Sequence, residues 1–152
     1  MKVRASRNFF CVATVAMLAS CAPESSSEQQ VRALISRAEE LAEARDVADL
    51  AELVSSDYSD ARGFDKRELT NYLRGYFVLH PSVNLLVRIE SLEFPADELA
   101  QARITVGMLG RRGESAESWA ESWDIAAELQ TLDVELLNEG GEWRVIRADR
   151  TD

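Results

Sequence analysis

Between residues 31 and 80 the apolar positions recur at three- and four-residue steps; from residue 83 onward they alternate. The change of period divides the chain into a helical half and a strand half. Val31, Leu34, Ile35, Ala38, Leu41 and Ala42 form one helical stripe, with Arg32, Arg37, Glu39, Glu40 and Glu43 mainly elsewhere around the wheel. Ser25, Ser26 and Ser27 each have Glu or Gln three residues on, so a capping box opens this helix at one of the three. Asp46 predicts the cap of a second, shorter helix with Val47, Leu50, Leu53 and Val54 as its buried stripe. Ser55 to Phe64 is a polar break containing Gly63. Asp65 and Glu68 then make another capping box, and Leu69, Tyr72, Leu73, Tyr76, Phe77 and His80 form one face of a third helix that Pro81 stops. This face is expected to pack into a sheet, with one or more polar tips reaching an internal pocket.

Val83, Leu85, Val87 and Ile89 share a strand face, while Asn84, Arg88 and Glu90 point the other way. Leu92 and Phe94 are out of phase with that set, which predicts a bulge or strand end near Ser91. Pro95-Ala96-Asp97 reads as a turn. Ala102, Ile104, Val106 and Met108 give a second strand, ended by Gly110-Arg111-Arg112-Gly113. Leu132, Val134 and Leu136 give a third, Asn138-Glu139-Gly140-Gly141 a hairpin, and Trp143 to Ala148 the last strand. Helices followed by an antiparallel meander make the fold α+β, with N-terminal helices packed on a curved antiparallel sheet.

The first twenty residues stand apart from this pattern. Lys2, Arg4 and Arg7 precede an apolar run, Phe9 to Met17, that is too short for the about 20 residues of a membrane-spanning helix. It reads as a signal peptide over residues 1–20. Its end, Leu18-Ala19-Ser20-Cys21, resembles the lipobox of bacterial lipoproteins, which implies a diacylglycerol thioether on Cys21 and cleavage before it. Ala22 in place of Asp implies sorting to the outer membrane, facing the periplasm; in a Gram-positive cell the same motif implies the outer leaflet of the plasma membrane. Residues 21–27 would then be a lipidated tether and residues 28–152 the domain.

Loss of the leader removes three of the 17 basic residues and none of the 27 acidic ones, taking the formal charge from −10 to −13. Such a surface repels phosphate polyanions, so no nucleic acid partner is expected, and membrane contact should come from the lipid rather than a basic patch. With Cys11 in the leader and Cys21 blocked, the domain has no thiol for a disulfide, a nucleophile or a zinc site.

The element order, together with the run from Ser56 to Leu69 and the closing Gly141-Glu142-Trp143-Arg144-Val145, resembles the nuclear transport factor 2-like (SnoaL-like) superfamily over roughly residues 28–149. The resemblance implies a cone of sheet and helices around an apolar pocket, often in a homodimer. Its members include isomerases, dehydratases and epoxide hydrolases as well as proteins that only bind.

Candidate pocket residues are Tyr58, Asp60, Tyr72, Tyr76, His80, Trp119 and Trp123. Asp57, Tyr58, Asp60 and Asp65 could form an acid/base cluster, since paired carboxylates beside a phenol can separate their pKa values. Turn chemistry accounts better for Asp57 and Asp60, and the helix cap for Asp65. His80, the single histidine, fits a helix C-terminus better than a metal site or a triad. If residues 117–128 are helical, Glu117, Glu121, Asp124 and Glu128 form a solvated acidic stripe, with Trp119 and Trp123 in the core or a lid. No catalytic residue, metal or cofactor is assigned. The reading is a lipid-anchored envelope protein whose domain binds a small apolar molecule or an envelope protein without catalysis. Its alternatives are a small acid/base enzyme using Tyr58, Asp60, Tyr76 and His80, and a structural protein with a filled pocket.

Overall fold

The computed structural model describes residues 26–108 and 128–151. Three helices, α1 (Ser27–Ala44), α2 (Val47–Glu52) and α3 (Lys66–Leu79), precede four strands, β1 (Leu85–Ala96), β2 (Leu99–Met108), β3 (Glu128–Glu139) and β4 (Glu142–Thr151). The strands form one sheet in the order β1-β2-β3-β4, every neighbouring pair antiparallel.

Of the three candidate serines, Ser26 caps α1: its hydroxyl accepts the Gln29 N–H, and the Gln29 side chain returns to the Ser26 N–H. Asp46 caps α2 and Asp65 caps α3, the latter in a reciprocal box with Glu68. At the other end of α1, Arg45 takes a left-handed conformation that terminates the helix.

Val31 and Ile35 of α1 bury against Ala100, Ala102, Ile104, Val134, Leu136 and Trp143 on one face of the sheet. This is the principal core. α1 reaches across to both edge strands, β1 and β4. The expected bulge is present, as the β1–β2 register shifts between Ile89 and Ser91. A second shift lies in β3–β4 at Glu135/Leu136. An extra residue of this kind bends its strand and increases the local twist.

Some expectations need correction. Pro95 and Ala96 belong to β1, and the turn falls at Asp97 and Glu98, between the paired Ala96 and Leu99. Proline is tolerated there because β1 is an edge strand, where a missing N–H costs no ladder bond. Glu128 opens β3, paired with Met108, and so does not continue a helical stripe. None of α2's own residues is fully buried; Val54, just beyond it, is, because it leaves the helix to form a parallel bridge with Val145. The α3 face is less buried than its period suggests. Phe77 alone is fully buried, outside the principal core, and α3 packs chiefly on α2. Gly110 to Gly113, with Glu117, Glu121 and Asp124, lie outside the described residues.

Both sheet edges are covered in part. On β1, the N–H groups of Leu85 and Val87 go to the carboxylates of Glu43 and Glu39 on α1. On β4, Val145 exchanges backbone bonds with Leu53 and Ser55, and Ser59 donates to the Ile146 carbonyl. The segment between α2 and α3 thus acts as a partial fifth strand, which removes an edge that would otherwise template aggregation.

Candidate functional site

That same segment carries the tightest polar arrangement in the described residues. Asp60 is 5 % exposed, and its carboxylate accepts from five donors. The Arg62 N–H and the Phe64 N–H reach Oδ1 at 3.0 and 2.9 Å. The Tyr58 hydroxyl reaches Oδ2 at 3.2 Å, joined there by Arg62 Nε at 3.0 Å and a terminal guanidinium nitrogen at 2.6 Å. Gly63, at φ +81°, lets the chain turn back so that these donors converge.

The electrostatic outcome follows from the contacts. Burial alone would raise the Asp60 pKa, but the Phe64 N–H and the Arg62 guanidinium hold it below the ordinary carboxylate range. Burial, and then the adjacent Asp60 charge, push the Tyr58 phenol up to about 12. Asp60 is therefore held as an anion and Tyr58 as a neutral phenol. Neither is poised to exchange a proton near neutrality.

Arg62 links this knot to a row of aromatic rings. Its guanidinium lies 4.4 Å from the Phe64 ring centre and 5.2 Å from that of Tyr72. Phe64 and Tyr72 are 6.0 Å apart, Tyr72 and Tyr76 6.5 Å, and Tyr76 stacks on His80 at 4.1 Å. Tyr72, Tyr76 and His80 recur every four residues along α3, so helical geometry builds the row. Tyr72 is 48 % exposed, so it stands at the surface rather than inside a pocket. The Nδ1 atom of His80 is buried without a hydrogen-bond partner among the described residues.

Five of the nominated residues, Tyr58, Asp60, Tyr72, Tyr76 and His80, thus fall into one chain of contacts that runs through Arg62 and Phe64. Asp57 is exposed and Asp65 serves its cap. Trp119, Trp123 and Cys21 lie outside the described residues. Arg62 and Phe64 were missed by sequence reasoning, although their alternation with Tyr58 and Asp60 in an extended break was visible. Ser55, also missed, is fully buried and donates to Glu139 at 2.5 Å while accepting the Asp57 N–H, which ties the segment to the end of β3.

Two open grooves lie on the described surface. One, of about 460 Å³, is lined by Ser56, Asp65, Lys66, Arg67, Thr70, Asn71 and Arg74. The other, of about 440 Å³, lies between α1 and the β3–β4 hairpin, with Gln30, Leu34, Leu53 and Trp143 in its walls. Neither includes the aromatic row.

Helices laid on a four-stranded antiparallel meander superpose on solved structures along most of the chain. An NTF2-like protein of unknown function from Pseudomonas putida aligns with a TM-score of 0.62 and 18% identity, covering 82% of this chain and 84% of its own. The fold is NTF2-like. The Novosphingobium aromaticivorans protein named Putative Scytalone Dehydratase has the same NTF2-like arrangement, with a TM-score of 0.62, 14% identity and coverage of 82% and 84%. A cystatin-like-fold protein of unknown function from Nostoc punctiforme gives 0.60 and 13% over 81% and 88%. No family model and no curated protein matches the chain. At these identities the likeness carries the NTF2-like fold and not an activity.

Proposed function

We propose that this is a lipid-anchored protein of the bacterial outer membrane, facing the periplasm, whose NTF2-like domain binds a small apolar molecule without transforming it. The observation that carries the non-catalytic reading is the saturation of Asp60. A general base needs a free lone pair and a pKa near the working pH. Asp60 accepts five donors and is held well ionised, while Tyr58 is locked as its donor. The aromatic row on α3 offers the complementary property: a half-exposed tyrosine, Tyr72, with the Phe64 and Tyr76 rings beside it. Rings of this kind hold apolar ligands through area and edge-to-face contact.

The test is native mass spectrometry of the detergent-extracted protein. The expected spectrum shows an acylated chain beginning at Cys21 with a non-covalent small-molecule adduct that Tyr72→Ala and Tyr76→Ala remove. An unacylated chain would refute the anchor, and an adduct indifferent to both substitutions would refute the site.

One observation favours a second reading, a small acid/base enzyme. The buried Nδ1 of His80, without a hydrogen-bond partner among the described residues, belongs to a ring stacked on Tyr76, and one NTF2-like neighbour bears a dehydratase name. In that case the adduct would disappear with time and a product of altered mass would appear, and His80→Ala would stop the conversion.

A further inference from the structure

In a chain this acidic, three cations without a carboxylate partner among the described residues cluster along one helix. Several arginines elsewhere are neutralised, Arg32 by Glu28, Arg103 by Asp133 and Arg147 by Asp149, while Arg45 donates to the Phe77 carbonyl. The groove along the N-terminal half of α3 is different. The Lys66 ammonium donates to the Val54 carbonyl at 2.8 Å, Arg74 donates to the Asn71 amide oxygen at 3.1 Å, and Arg67 makes no ion pair among the described residues. Its one acidic lining residue, Asp65, is engaged in the α3 cap. Arg67, Arg74 and Val78 are spaced by seven and four residues, so they share one side of the helix. All three are exposed, Val78 to 81 %.

The end of the described chain lies at the same end of the molecule as this groove. Gln30, one turn into α1, accepts from Trp143 and shares a groove with Leu53. The Val54 carbonyl beside Leu53 takes the Lys66 ammonium, while the far ends of α1 and α3 meet where Arg45 donates to the Phe77 carbonyl. From Ser26 back to Cys21 the chain is five residues, at most about 18 Å when fully extended.

We propose that the Lys66, Arg67 and Arg74 face of α3 rests on the anionic, phosphate-bearing headgroups of the bilayer that holds the Cys21 lipid, and so fixes the orientation of the domain. This rests on the anchored reading above. A strongly negative body held close to a negative surface is repelled least on the side where cations without a carboxylate partner cluster. Screening over about 8 Å at physiological ionic strength lets that local charge outweigh the distant net charge. Val78 then supplies an apolar contact at the interface, and on this proposal the membrane is met by the lipid and the patch together.

The experiment uses the acylated mature chain in vesicles of phosphatidylglycerol with a zwitterionic lipid, or of the zwitterionic lipid alone. Val78→Cys carries a fluorophore, and headgroup-labelled lipid quenches it; Gln101→Cys, on the opposite side of the sheet, is the reference. Quenching at position 78 should exceed that at 101 by roughly three-fold in anionic vesicles and lose the excess in 1 M salt. Arg67→Glu with Arg74→Glu should abolish the excess with an unchanged melting temperature. Equal quenching at both positions, or an excess indifferent to headgroup charge and salt, overturns the proposal; the salt arm holds even if the double variant misfolds. An intact mass without acyl groups would instead overturn the anchored reading and this proposal with it.

Discussion

The Glu43 carboxylate accepts the backbone N–H of Leu85 at 2.8 Å, and Glu39, one helical turn earlier, accepts that of Val87 at 3.1 Å. Two side chains of α1 thus stand in for the strand that β1 lacks on its outer edge. Their four-residue spacing on the helix matches alternate N–H groups on the strand. Glu39→Ala with Glu43→Ala should destabilise the domain by roughly 2–3 kcal/mol, since each removes a charge-assisted bond and leaves an N–H to water. It should also raise concentration-dependent self-association by baring the edge. The Gln pair, which keeps the acceptors, should recover most of the stability. Thermal melting and light scattering measure the two effects.

Asp60 has a comparable role in the segment between α2 and α3. Asp60→Ala would orphan two backbone N–H groups and the Tyr58 hydroxyl beside a half-exposed Arg62. A loss of roughly 3 kcal/mol is expected in chemical denaturation. Acid should act on the same group. Folded Asp60 holds its proton less tightly than the unfolded chain, whose value is 3.8. Its contribution is therefore complete above that value and is lost as pH falls through the lower folded one. Asp60→Asn should flatten the acid limb of the stability curve.

Alkaline solution probes Tyr58 in the opposite sense. Its folded pKa, about 12, lies above the ordinary 10.0, so between the two the folded state holds the proton that the unfolded state has released. Stability should fall by about 2–3 kcal/mol across that window. Tyr58 should show a late phenolate absorbance step, and Tyr58→Phe should remove it. An absorbance curve that loses no late step in Tyr58→Phe would show that Tyr58 is not buried against a carboxylate.

The β3–β4 hairpin rests on two consecutive glycines at positive φ, Gly140 at 68° and Gly141 at 101°, with the Asn138 side chain accepting the Gly141 N–H at 2.8 Å. Gly141→Ala should cost roughly 1–2 kcal/mol, because a Cβ is strained at that angle even though space is free around it. Denaturant melts of this variant beside Gly75→Ala, a helical position with similar free space, separate strain from crowding.

Features set by near neighbours were legible in the sequence. A capping box at one of Ser25 to Ser27, the box at Asp65, the bulge near Ser91 and the Gly140-Gly141 turn all depend on near neighbours, though only the structure selects Ser26 as the first cap. Asp60 was legible as a turn former for the same reason. Features that depend on a distant partner were not. Glu39 and Glu43 read as a solvated face because nothing nearby shows that β1 will run beside them. The Val54–Val145 bridge joins residues 91 positions apart. Periodicity showed that α3 has an apolar side, but not which element would cover it.

Phe77 tests that last point. It is 7 % exposed, yet it belongs to neither the α1–sheet core nor the side chains packed on it, whereas Leu136 lies at the centre of that core and is fully buried. Phe77→Ala should still cost about 3 kcal/mol, the lower end for a buried phenyl, since a peripheral site can partly collapse. Leu136→Ala should cost about 4 kcal/mol, because its surroundings are fixed by three strands. The more telling difference is spatial. In native-state hydrogen exchange, Phe77→Ala should speed exchange in α3 while leaving β2 and β3 close to wild type, and Leu136→Ala should speed all of them together. If Phe77→Ala loosened β2 and β3 as much as α3, the helix would be an integral wall of the core, and the peripheral placement of its aromatic row would be wrong.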